Sequence, residues 1–99
     1  MAKQIYSWEE LVKQNFSLAD IRKNDQAYLV MEKEASNGHI LAQHNMGLWN
    51  ELISNDYTEA LKWYQKASIQ GNETSKLAYN DLKDRIDKSN KGSKYDNAN

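Results

Sequence analysis

From Trp8 to Lys88 the apolar positions recur with a helical period, and no segment alternates as a half-buried strand does. The clearest stretch is DYTEALKWYQKASIQG, from Asp56 to Gly71. Ala60, Tyr64 and Ala67 stand at i, i+4 and i+7, so two small residues and one ring share a stripe on which two helices can approach closely. Gly71 ends that helix. Upstream, Gly38, Ala42, Met46 and Gly47 trace a helix of the same kind, and Gly71, Ser75, Tyr79 and Asn80 repeat its spacing further along the chain. The interval from Gly38 to Gly71 is the length of one helical hairpin, and a period of this size predicts stacked hairpins, hence an all-α chain.

Start and stop signals divide the chain into five main helices. Ser7 with Glu10 makes a capping box for a helix over about 8–14, with Leu11, Val12 and Phe16 as its apolar side. Ser17 and Asp20 make a weaker start for a turn or helix through Arg22. Asn24 or Asp25 then caps a helix over 24–36, closed by Asn37 and Gly38, with Tyr28, Met31 and Ala35 buried. The next helices are expected over 39–53, 57–69 and, capped by Asn72, 73–88. The polar, aperiodic tail over 89–99 reads as a flexible terminus whose Lys91 and Lys94, with Lys88, are solvated rather than a basic patch. One domain results: N-terminal capping helices over 1–23, a repeat region over 24–88 and the tail.

Composition narrows the function classes. Thirteen basic and 14 acidic residues leave a net charge of −1, which gives no electrostatic case for nucleic acid or an anionic membrane as partner. No apolar run has the length of a signal peptide or a membrane span, so the cytoplasm is the expected location. With no cysteine, a disulfide framework and a thiolate metal site are excluded; with no proline, nothing interrupts helices.

Catalytic and metal constellations fail one by one. His39 and His44 are five residues apart, about 140° around a helix, and cannot clamp one ion as an i, i+4 pair does. The carboxylates Glu9 and Glu10, Glu32 and Glu34, and Asp81 and Asp84 share faces with lysines, the pattern of solvated surface. Gly38, Gly47, Gly71 and Gly92 are isolated and form no phosphate loop, and no elbow motif exposes a serine. The expectation is a protein without catalytic activity, cofactor or metal.

The pattern Ala42, Met46, Gly47, then Asp56, Ala60, Trp63, Tyr64, Lys66, Ala67 and Gly71 resembles a Sel1-like repeat, a relative of the tetratricopeptide repeat. WYQKASIQGN is its most specific string. The likeness covers residues 24 to 88 with one full copy and two partial ones, and departs from the family in the loop, where ELISND replaces a glycine-rich turn. The family's aromatic falls one residue after Trp49, where this chain has Asn50. What the resemblance implies is a short α/α solenoid that binds one protein partner, with Gly38, Ala42, Met46, Gly47, Ala60, Trp63, Tyr64, Ala67 and Gly71 at structural repeat positions and Trp8 closing the open end of the stack. Small Sel1-like proteins resemble immunity proteins of bacterial toxin systems, so neutralisation of a cognate toxin is the first specific expectation; an adaptor of a larger complex and a self-associating structural protein are the alternatives. The oligomeric state stays open.

The helix over 39–53 has more apolar surface than one neighbour can cover. Ala42, Met46, Trp49 and Ile53 form a stripe expected to pack on the helix over 57–69, while Leu41, Leu48 and Leu52 form a second one beside His44. In solenoids of the resembled type the first helix of each hairpin lines the concave side. Leu41, His44, Leu48 and Glu51 then lie either against the flanking helices or toward a bound protein. For the polar pair His44 and Glu51, exposure at a groove is expected, because buried polar groups need partners.

Overall fold

The computed structural model describes residues 17 to 98, with side chains from 17 to 89. Every element among them is an α-helix: α1 (Leu18–Arg22), α2 (Asp25–Ser36), α3 (Ile40–Leu52), α4 (Tyr57–Ile69) and α5 (Glu73–Ala98). The expected helix over 8–14, with Trp8 as its cap on the stack, lies outside the described residues. No described helix is long and apolar enough to cross a membrane.

Local chemistry sets the boundaries. Ser17 and Asp20 form a reciprocal capping box at α1, the Ser17 hydroxyl taking the Asp20 amide and the Asp20 carboxylate taking the Ser17 amide. The Ser17 amide and then the Ser17 hydroxyl, both donating to the Asp20 carboxylate, hold that carboxyl below its ordinary value. Asn24 caps α2 through the Ala27 amide, and Asp56 caps α4 through the Glu59 amide. Both later turns close in the same way. Gly38 at φ 98° and Gly71 at φ 105° occupy the left-handed region. The next residue on each turn donates back across it, His39 to the Glu34 carbonyl and Asn72 to the Ala67 carbonyl, so donor and acceptor recur at the interval that separates the two glycines. One expected boundary moves. The helix expected to stop near Lys88 continues to Ala98, since no proline stands there and a single Gly92 does not end a helix.

The repeat is visible in burial as well as in the turns. Ala27 and Ala60, Met31 and Tyr64, and Ala42 and Ser75 are pairs at that same interval, and every one of these side chains is buried. Consecutive helices pack on each other from α1 to α5. A first core gathers Ile21, Ala27, Met31, Ala35, Ala42 and Met46. A second gathers Ala60, Tyr64 and Leu82, with Leu48, Leu61, Ala78, Tyr79 and Ile86 around it. Trp63 reaches from α4 to the first core, as do Trp49 and Tyr28, whose rings meet at 4.9 Å.

These cores correct one sequence expectation. The stripe of Ala42, Met46 and Trp49 joins a core shared with α1 and α2, to which α4 adds Trp63. What meets α4 is the neighbouring face, centred on Gly47. A Cβ at Gly47 would lie 2.3 Å from Cδ1 of Tyr64, so the missing side chain makes the space for the ring. Asn50, where the resemblance calls for an aromatic, is buried and donates from Nδ2 to the Met46 carbonyl at 2.8 Å.

Candidate functional site

Helix α3 touches α2 on one side and α4 and α5 on the other, and the four residues expected to bind a partner divide between the covered side and the open one. His44 points to α5. Its Nδ1 lies 2.7 Å from Oγ of Ser75, a fully buried hydroxyl in the first turn of α5. The His44 ring also tilts against Tyr64 at 5.5 Å, and burial pulls its pKa below the ordinary imidazole value.

Glu51 lies two turns further along the same face. Its carboxylate accepts from the Tyr64 hydroxyl at 2.8 Å and pairs with the Arg85 guanidinium, whose Nε also donates to Asp81 at 3.0 Å. Burial and then the Glu51 carboxylate push the Tyr64 phenol far above its ordinary value. The Glu51 side chain is 14% exposed. Exposure at a groove, expected for His44 and Glu51, is therefore replaced by half-burial with partners inside the protein. The reason is that α5 runs beside α3 and brings Ser75 and Arg85, far along the chain, to these two groups.

Leu48 joins the second core, while Leu41 is 53% exposed. Leu52 is 59% exposed and stands at i+4 from Leu48 on the same stripe. The open face of α3 is thus Leu41 and Leu52, with Leu48 between them packed on the second core, rather than Leu41, His44, Leu48 and Glu51. Glu51 is the sole carboxylate of α3, which has no lysine or arginine, and it is paired inside; this face therefore carries no formal charge in a chain in which 27% of residues are charged. Such a stripe has little to lose on leaving water.

A pair of amide side chains, Gln43 buried and Gln70 exposed, ties the two turns together. Gln43 donates from Nε2 to the Ala35 carbonyl at 3.1 Å and accepts from Gln70 at 2.8 Å, and Gln70 also donates to the Gly38 carbonyl at 3.0 Å. Nothing in the sequence pattern marks Gln43 or Gln70. Ser75 carried a signal, as the residue one repeat after Ala42, but its hydroxyl gave no hint of His44. At the other end, Tyr57, Leu82, Arg85, Ile86 and Ser89 line an open groove of about 320 Å³.

Among the described residues no group of three or more His, Asp or Glu side chains is arranged to hold a metal ion. His39 serves instead as the N-cap of α3, its Nδ1 accepting from the Ala42 amide. Neither the family models, the curated proteins nor the solved structures give a match to this chain.

Proposed function

We propose that this chain is a protein-binding module built of Sel1-like helical hairpins, which takes one protein partner across α3 and neutralises a cognate toxin domain. The observation that carries the reading is the uncharged open face of α3, with Leu41 and Leu52 more than half exposed and Leu48 between them. From Leu41 to Leu52 the helix runs about 16 Å at a rise of about 1.5 Å per residue, enough to seat the apolar side of a partner's helix. The resemblance to Sel1-like repeats and the recurrence of caps and buried positions support a solenoid-like stack as its frame. His44 and Glu51 serve this face from behind, by fixing α3 against α5. Action in the cytoplasm and without catalysis of its own belongs to the same proposal.

The test is neutralisation. A toxin domain encoded beside this chain should be blocked by co-expression and should bind the purified protein. The Leu41→Glu, Leu52→Glu double variant should keep its thermal stability, because both side chains are exposed, yet bind at least about tenfold more weakly, a loss of roughly 1.4 kcal/mol. Undiminished binding by the folded double variant would move the interface away from α3. Concentration-dependent dimerisation lost in the same variant would turn the reading to self-association.

A further inference from the structure

The contact between His44 and Ser75 joins two helices that are not consecutive, α3 and α5, through an imidazole. Ser75 is fully buried in the first turn of α5, and the imidazole is half-buried between that turn and the Tyr64 ring. The titratable and charged groups around it are each committed elsewhere. On α4, Tyr64 donates its proton to Glu51; on α3, Glu51 lies two turns away and is also paired with Arg85; on α5, Arg85 is held by Glu51 and Asp81. Among the described residues no carboxylate forms an ion pair with the His44 ring, and Glu51, the one carboxylate on its helix, is already paired with Arg85. An imidazolium formed here would be charged, partly desolvated and without a counter-ion.

We infer that the His44 contact with Ser75 is an acid-sensitive latch, which holds α5 on α3 at neutral pH and releases that end of the seam when the ring is protonated. The sign follows from which form the fold prefers. The folded protein favours neutral His44, so this stabilisation is fully present above the ordinary imidazole value of 6.5 and is lost as pH falls below it. Release would loosen the first turn of α5, where Ser75 sits, while the Glu51 and Arg85 pair holds the helix further along. The latch stands on the contact itself and is independent of what α3 binds.

His39, the other histidine, supplies the control. Its Nδ1 accepts the Ala42 amide, a contact at a different place that does not involve α5. Asn at that position also caps. Thermal melts at about pH 7.5 and about pH 5.5 should show the wild type losing on the order of 5 °C at the lower pH. His39→Asn should retain most of that loss, and His44→Gln, whose amide can meet Ser75 at either pH, should abolish most of it. A wild-type melting temperature equal at both pH values, or an undiminished loss in His44→Gln, would overturn the latch. Should His44→Gln fail to fold, an NMR titration of the wild type decides: a His44 midpoint below 6.5, with the Ser75 amide shifting in step, supports it, and a midpoint at or above 6.5 ends it.

Discussion

Helices α3 and α5 each follow one of two matching glycine turns, and the face on which they differ is covered in α3 and exposed in α5. Both follow a left-handed glycine, and both bury a small residue in the first turn, Ala42 in one and Ser75 in the other. The next face separates them. In α3 it reads His44, Gly47, Leu48 and Glu51; at the equivalent positions of α5 it reads Leu77, Asn80, Asp81 and Asp84. The first set is covered by α4 and α5 through Tyr64, Ser75, Leu82 and Arg85. The second is exposed, and its carboxylates are spent on Arg85 and Lys88 along the same helix. The α3 face is covered where a glycine and a leucine stand in place of the asparagine and aspartate of α5, because the glycine leaves room for the Tyr64 ring.

The sharpest way to break this comparison is to fill the gap in α3. Gly47→Ala places a Cβ against the buried Tyr64 ring, at 2.3 Å from Cδ1, and one of the two must move. We expect a loss of roughly 2–4 kcal/mol, net of the gain of about 1 kcal/mol that alanine brings to a helix interior. Asn80→Ala, at the equivalent place in α5, meets no covering helix and should be neutral or stabilising by up to about 0.5 kcal/mol. Denaturant melts of the two variants test the pair. Equal costs would show that the two faces are not distinguished by packing.

A smaller contrast is electrostatic. Glu51→Lys leaves the buried Tyr64 hydroxyl without its acceptor and sets a second cation beside Arg85, for an expected loss of roughly 2 kcal/mol. Most of that comes from the hydroxyl, since Arg85 is 54% exposed and water screens its repulsion. Asp84→Lys removes only an exposed pair with Lys88 and should change stability by less than about 0.5 kcal/mol. Urea midpoints at neutral pH measure both. A Glu51→Lys protein as stable as the wild type would remove Glu51 from the seam and return it to the open face as a candidate contact.

These contrasts also mark what the sequence could and could not convey. Ala60, Tyr64 and Ala67 were legible as one buried stripe because helical spacing fixes which residues share a face, and all three are buried. The all-α class followed from the same periodicity. Which neighbour a face meets is a different question, since spacing within a helix carries no information about the element opposite. That is why the spacing of Ala42 and Met46 points to α4 but does not reveal the core they share with α1 and α2. It is also why His44 and Glu51 were expected in the open. Their partners, Ser75 and Arg85, lie on α5, far along the chain, and only the packed structure brings them within bonding distance.

The mildest test addresses what α3 and α5 have in common. Gly38 and Gly71 both hold positive φ, and a Cβ at either would meet no atom within 4 Å, so substitution is opposed by backbone conformation alone. Gly38→Ala and Gly71→Ala should therefore each cost about 1 kcal/mol, the penalty for holding an L-residue in the left-handed region. If the two turns are copies of one device, the costs match. They differ in one respect: the Gly38 carbonyl accepts from Gln70, which in turn holds Gln43, so strain at the first turn is transmitted to the second hairpin. A larger loss at Gly38 that shrinks in a Gln70→Ala background would locate the excess in that amide link. A larger loss at Gly71, with Gly38 tolerant, would show that the turns are held differently and that the likeness between the two hairpins stops at the backbone.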